Sequence, residues 1–161
     1  MTTDPLAIVY KVADTPHAFE AGAHLFQQYA QAIGIDLSFQ GFTRELESLT
    51  EQYGPPTGAL LLAYHDEEAI GCVGIRALEG ATAELKRMFV QPRYQGRKIG
   101  QELLQRILDI ATNLGYKRVR LDTLSTMHGA LHLYRQYGFY EIPPYYHNPI
   151  EGAVYMEKQL A

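Results

Sequence analysis

The chain has 161 residues, 47% of them apolar, and a formal net charge of −4, which suits one soluble globular domain over 1–161 and lacks the basic surplus of a nucleic-acid binder. Its single cysteine, Cys72, excludes an internal disulfide and argues against a thiolate zinc site. No basic-then-apolar leader opens the sequence and no stretch approaches the roughly 18 apolar residues of a membrane span, so a cytoplasmic protein with no membrane partner is expected.

In chain order, "AIVYKVA" from Ala7 to Ala13 reads as a strand. Thr15 followed by Pro16 reads as an N-cap with proline at the first helical position. The helix should run to about Ala32, with Phe19, Ala23, Phe26, Ala30 and Ile33 on one face and Gly34 as its stop. "RELESL" predicts a second, short helix ended by "YGPPTG". "ALLLAYH", "AIGCVGIRAL" and "AELKRMFV" predict three strands. Their turns are too short for crossovers, so they should form an antiparallel meander. Ile99 to Leu114 carries a continuous apolar stripe and Gly115 to end it. "RVRLDTL" predicts a strand, and Ser125 or Thr126 should cap a helix running to about Tyr137. "GFYEI" and "AVYMEKQL" are the last strands, separated by "PPYYHNPIEG". The expected class is α/β: a mixed, largely antiparallel sheet of about six or seven strands with about four helices, and not a doubly wound parallel sheet.

The turn "QGRKIG", Gln95 to Gly100, stands between a strand and the best helix. A helix entrance has amides without internal partners and partial positive charge, so a phosphate is at home there. Lys86, Arg87, Arg93, Arg97 and Lys98 cluster around it, which on an acidic protein suggests a small anionic ligand. The P-loop pattern is absent, because Gln101 and Glu102 follow Gly100. The dinucleotide pattern G-x-G-x-x-G and its parallel setting are absent too.

The segment "AELKRMFVQPRYQGRKIGQELL" resembles the acetyl-CoA-binding core of the GCN5-related N-acetyltransferases, whose signature [QR]-x-x-G-x-[GA] follows a strand and opens a helix. Gln95, Ile99 and Gly100 match it, and Gly96 fills a commonly small position. Lys98 replaces the middle glycine and is expected at an unstrained negative φ. "ALHLYRQYGF" resembles the second signature, with Met127 where an asparagine is frequent. The order of elements is similar from about Ile8 to Leu160. The chain is thereby identified as a member of this superfamily, as a small acetyltransferase of the bacterial type.

The resemblance implies that two strands, "AELKRMFV" and "RVRLDTL", splay apart around coenzyme A. The pantetheine would pair with the backbone of Met88, Phe89 and Val90, as a strand added to an edge. The pyrophosphate would sit on amides of Gln95, Gly96, Arg97, Lys98, Ile99 and Gly100, reaching Gln101, with Arg93, Arg97 and Lys98 meeting the phosphates. An amide near Phe89 or Val90 would polarise the thioester carbonyl. Acetyl-CoA is the implied cosubstrate, and no metal is called for.

Acetylating an amine requires removing its proton, since a free amine has a pKa near 10. Glu84 is the first candidate base, at the position where many relatives place a catalytic glutamate, and Glu79 is a weaker one. Tyr134 matches the tyrosine that relatives hold near the sulfur and is the candidate general acid. A phenol is a weaker acid than a thiol, a gap that local electrostatics is expected to remove. Cys72 reads as a buried, inert thiol. His128 and His132 have metal-ligand spacing but no third ligand in view, and read as solvent-facing.

The acceptor is a primary amine on a small molecule, amino acid or peptide. Phe39, Phe42, Tyr53, Tyr145, Tyr146 and His147 are candidates for an aromatic acceptor pocket, and Arg44, Arg76 or Arg87 for a carboxylate clamp. A non-catalytic acyl-CoA sensor and a nucleotide-binding regulator remain alternatives, and a homodimer is left open.

Overall fold

A sheet of seven strands carries the molecule, and the way one pair of its strands parts company positions the site. The computed structural model describes residues 7–38 and 41–160. The strands are β1 (Ile8–Val12), β2 (Ala59–His65), β3 (Glu68–Glu79), β4 (Thr82–Val90), β5 (Arg118–Leu124), β6 (Tyr140–Ile142) and β7 (Ala153–Gln159). The helices are α1 (Pro16–Ile33), α2 (Phe42–Glu47), α3 (Leu49–Gln52), α4 (Ile99–Asn113) and α5 (His128–Gln136). The strand order is β1-β2-β3-β4-β5-β7-β6. All neighbours run antiparallel except β4 and β5, which are parallel.

The sheet has a core on each face, which explains why "ALLLA" in β2 is apolar without alternation. Leu61 and Ala63 face the core built with α4 and α5, while Leu60 and Leu62 face the one built with α1 and α3. Helix α4 buries Ile99, Leu103, Leu104, Ile107, Leu108 and Ala111. Each large aliphatic side chain buried there contributes about 1.5–3 kcal/mol. Thr15 caps α1 by accepting from the Ala18 amide at 3.1 Å, and Gly34 ends it in the left-handed region at φ 66°. Tyr53 lies wholly inside, against Gly74, where a Cβ would come within 2.6 Å of its ring. A side chain at Gly74 would displace that tyrosine.

Two local expectations are corrected. The single short helix is two, broken at Ser48, whose hydroxyl donates back to the Arg44 carbonyl at 2.7 Å. This local bond competes with helix continuation. Neither Ser125 nor Thr126 caps α5: the cap position is Met127, with no side-chain bond, and the Ser125 amide instead donates to the Gly152 carbonyl at 2.8 Å.

Strand β4 is the pivot. It pairs with β5 only at Thr82↔Arg118, Ala83↔Val119 and Glu84↔Arg120. Beyond Glu84 it stays with β3 alone, through Lys86↔Gly74, Phe89↔Cys72 and Val90↔Gly71. A bulge lies inside that stretch, with Arg87 at φ 60° and its carbonyl accepting from the Cys72 thiol at 3.3 Å. A bulge twists and bends its strand, which turns the second half of β4 away from β5.

Candidate active site

The unpaired edge of β4 leads straight to the start of α4. The first bond inside α4 runs from the Glu102 amide to the Lys98 carbonyl at 3.1 Å, so the amides of Ile99, Gly100 and Gln101 have no acceptor within the helix. Gln95 ties the turn to the strand by donating to the Val90 carbonyl at 3.0 Å. A cleft of about 450 Å³ follows this path. Nine of the ten residues expected to hold the cofactor line it: Met88, Phe89, Val90, Gln95, Gly96, Lys98, Ile99, Gly100 and Gln101. Arg97 lies outside, in a neighbouring recess with Lys98, Ile99 and Arg106. A Cβ at Gly100 would meet only Val90 Cγ2, at 4.0 Å. Packing within the protein therefore does not demand glycine there, whereas a ligand lying on the amides would. The residues present fit a diphosphate with an extended amide-bearing arm.

Lys98 departs from expectation. It is the residue before α4 and sits at φ 64°, ψ 18°, in the left-handed region. The turn requires that conformation whichever residue fills it, and lysine takes it at a cost of about 1–2 kcal/mol relative to glycine. The cationic cluster also divides in two. Arg93, Arg97 and Lys98 are exposed around the turn. Lys86 and Arg87 are buried, and belong to a different structure beneath the splay.

That structure is a set of three ion pairs. Arg76 meets Glu84 at 3.0 Å, Arg87 meets Glu45 at 2.8 Å, and Lys86 stands 3.8 Å from Asp122. Tyr53 donates to the second oxygen of Glu45 at 2.7 Å. Burial pushes the Glu45 carboxyl up, but the Arg87 guanidinium outweighs it and holds the group below the usual carboxylate range. Glu84 is 4% exposed. Its Oε1 accepts from Arg76, and its Oε2 accepts from the Tyr145 hydroxyl at 2.8 Å. Burial, then the Glu84 and Asp122 carboxylates, push the Tyr145 phenol far up, so it remains a donor. Glu79, the weaker candidate, pairs with Arg120 on the surface at 2.9 Å.

A partly open cavity nearby, about 50 Å³, is lined by other groups. Its polar wall includes Tyr29, Lys86, Arg87, Asp122, Thr123, Tyr134 and Asn148. It shares Met88 and Ala130 with the long cleft, so the two spaces adjoin where β4 leaves β5. Tyr134 is 6% exposed. Burial, then Tyr29 and Asp122, push its phenol well above its ordinary value. Local electrostatics thus widen the gap between phenol and thiol, contrary to expectation. Asp122 was not legible as a site residue. Tyr146 donates to its Oδ2, as does Asn148 Nδ2 at 3.0 Å. Of the residues expected to build an aromatic acceptor pocket, Tyr53 is core, Tyr145 and Tyr146 donate to the Glu84 and Asp122 carboxylates, and Phe39 lies outside the described residues. Arg76 and Arg87 are already paired with carboxylates. His128 and His132 are exposed. Cys72 is fully buried and its thiol is pushed far up by that burial.

A sheet opened between two parallel neighbours, with bare amides at the mouth of the opening, is an architecture this chain shares with acetyltransferases. The model of the Acetyltransferase (GNAT) family matches residues 24–139. An uncharacterised N-acetyltransferase of Schizosaccharomyces pombe is 38% identical over 160 residues, covering 98% of each chain. The chain belongs to the GNAT acetyltransferase family. Among solved structures, a GNAT-family acetyltransferase from Staphylococcus aureus Mu50 superposes with a TM-score of 0.80 at 22% identity, covering 96% of this chain and all of that one (100%). The PaiA N-acetyltransferase of Thermoplasma acidophilum, solved in complex with coenzyme A, superposes at 0.71 and 20% identity, covering 95% and 99%.

Proposed function

We propose that this protein transfers an acetyl group from acetyl-CoA directly to a primary amine of a small molecule, amino acid or peptide within a ternary complex. The observation that carries the reading is the continuity of the bare β4 edge with the amides opening α4, inside one cleft. Family membership and the coenzyme A held by the Thermoplasma neighbour support it.

Met88, Phe89 and Val90 would bind the pantetheine arm by strand addition. The amides of Gln95–Gly100 and Gln101 would hold the diphosphate, with Arg93, Arg97 and Lys98 adding charge. Bound acetyl-CoA supplies an activated thioester carbonyl. A β4 amide at Phe89 or Val90 stabilises negative charge on that carbonyl oxygen. Glu84 serves as the base; because both its oxygens are engaged and it stands off the cavity wall, it takes the amine proton through Tyr145 or water. The amine nitrogen then bonds to the carbonyl carbon, and the carbon–sulfur bond breaks. Tyr134 donates to the departing sulfur. Its raised pKa makes this a hydrogen bond that strengthens as charge builds, completed by the proton lost from the new amide nitrogen.

The test is an amine panel with acetyl-CoA, read as free-thiol release beside the acetyl-CoA-induced rise in Tm. Release with some amine and a rise in Tm support the reading. A rise in Tm with no release across the panel favours a non-catalytic acyl-CoA sensor, a reading that the full engagement of Glu84 keeps in view.

A further inference from the structure

We infer that the acceptor carries its amine on an uncharged, apolar substituent, and that this substituent lies in a recess between α1 and the unpaired end of β4; the inference names a substrate class for the transferase reading above and rests on it.

Three observations carry it. First, the recess gives a second substrate room beside the thioester. It holds about 360 Å³, within the roughly 300–1,000 Å³ of small-molecule sites. Met88, Phe89 and Val90 form a wall of the recess and also of the cofactor cleft. A ligand in the recess and a pantetheine on the β4 edge would therefore touch, as direct transfer requires. Tyr29, Ile33, Leu124 and Met127 form walls of both the recess and the cavity, so the recess also adjoins the space that Tyr134 lines.

Second, the two sides of the β4 edge differ. Met88 and Val90 pack with the core of α4 and α5, and Phe89 with that of α1. The amides opening α4 line the cleft, together with Lys98 and with His132 of α5. The recess is closed instead by Tyr29, Ala32 and Ile33 of α1 and by Leu124, Thr126 and Met127 at the end of β5 and the entry to α5. A donor anchored by its diphosphate at α4 comes in along the cleft and leaves the α1 side to the acceptor.

Third, the recess is uncharged. Among the described residues, no carboxylate, ammonium, guanidinium or imidazole lines it. The cleft has Lys98 and His132, and the cavity has Lys86, Arg87 and Asp122. The Phe89 ring meets Tyr29 edge-on at 6.2 Å, and the other walls are mostly aliphatic. Its polar side chains are neutral: the Tyr29 phenol, the Gln95 amide, which already donates to the Val90 carbonyl at 3.0 Å, and the exposed Thr126 hydroxyl. A second ammonium, or a carboxylate, on the acceptor's substituent would lose water there without meeting an opposite charge. An alkyl or aryl group gains with each carbon that it buries.

The experiment measures thiol release by the whole protein on acceptors of similar length that differ by one charge. Pentylamine is set against cadaverine and 5-aminopentanoate, norleucine against lysine and glutamate, and norleucyl-glycine against lysyl-glycine. In every set that is turned over, the uncharged member should lead in kcat/KM by about tenfold or more, a step of about 1.4 kcal/mol. Ala32 is exposed on α1, so it can be replaced without disturbing the core. Ala32→Trp should narrow the recess and lower kcat/KM about tenfold for the leading acceptor, while ethylamine and the acetyl-CoA-induced rise in Tm stay unchanged. Ala32→Glu should shrink the lead of pentylamine over cadaverine. A charged member that equals its uncharged counterpart overturns the inference and leaves the transferase reading standing. So does an Ala32→Trp variant that keeps full activity on the leading acceptor. A smaller acetyl-CoA-induced rise in Tm in Ala32→Trp, or a loss confined to hexanoyl-CoA as donor, would assign the recess to the donor and overturn the inference as well. No release with any amine, while acetyl-CoA still raises Tm, overturns both.

Discussion

The cleft and the cavity touch at Met88 and Ala130 yet are built by opposite means. The cleft is made of backbone: a strand edge, a turn and a helix entrance, open to solvent. The cavity is made of side chains, with charges from β4, β5 and α2 closed against one another. Backbone groups are already oriented by the fold and lose little when a ligand arrives. Buried charges hold each other in place, and removing one strands its partner. The same chain thus keeps a cleft tolerant of side-chain change beside a cavity that is not.

The largest expected effect lies in the cavity floor. Arg87→Met leaves Glu45, at 1% exposure, without its guanidinium, and should cost about 3–5 kcal/mol. Thermal denaturation checks this: at about 2–4 °C per kcal/mol for a chain of this size, Tm should fall by well over 5 °C. Glu45→Gln combined with Arg87→Met should cost less than the sum of the single changes, since the two residues share one interaction. The pair also has a pH signature. The Glu45 carboxyl sits below its ordinary value of 4.5 in the folded state, so its stabilisation is complete above that value and is lost as pH falls through the lower, folded one. Glu45→Gln should flatten the acid limb of the stability curve. An unchanged acid limb means that the pair is not the source.

In the cleft, Gly100→Asp should leave the apoprotein's Tm nearly unchanged, because the Cβ meets only Val90 at 4.0 Å. It should abolish the rise in Tm caused by acetyl-CoA, about 2.7 kcal/mol at a hundredfold excess over Kd. A large loss of apoprotein stability would show that the glycine serves packing instead of ligand approach. Where the two spaces meet, Tyr134→Phe should lower kcat by about tenfold, a step of about 1.4 kcal/mol, with Kd for acetyl-CoA unchanged. Full turnover in this variant removes Tyr134 from the chemistry.

The same contrast decides what the sequence could show. The cleft is local: "MFVQPRYQGRKIGQELL" contains the strand end, the turn and the helix start in one run, and nine of the ten residues expected from it to hold the cofactor line one space. The element order and the antiparallel meander of β2, β3 and β4 were equally legible, because period and turn chemistry act over a few residues. The cavity is non-local. Arg87 and Glu45 are 42 residues apart, and Asp122 meets Tyr146 and Asn148 across a loop. In "RVRLDTL" nothing local singles out Asp122, which becomes part of a cavity wall where β4 departs from β5. Likewise Tyr53 reads as a loop aromatic until Gly74 admits its ring to the core. Pairing of buried charges follows tertiary contacts, and no spacing rule encodes it.

Lys98 joins the two regimes: its backbone belongs to the turn, and its charge to the ligand. At φ 64° it holds the left-handed conformation that glycine adopts without strain. Lys98→Gly relieves about 1–2 kcal/mol of that strain. The added freedom of glycine in the unfolded chain takes back roughly 0.5–1 kcal/mol. The net is a small stabilisation of about 1 kcal/mol or less, a rise of about 2–4 °C in Tm at most. The same change removes an exposed cation from the cleft wall. Acetyl-CoA should then bind more weakly at low ionic strength, and the difference from the unaltered protein should shrink as salt screens the lost attraction. Opposite signs in apoprotein stability and low-salt affinity are the expected result. A fall in apoprotein Tm would mean that the lysine side chain supports the turn by contacts that outweigh its backbone strain.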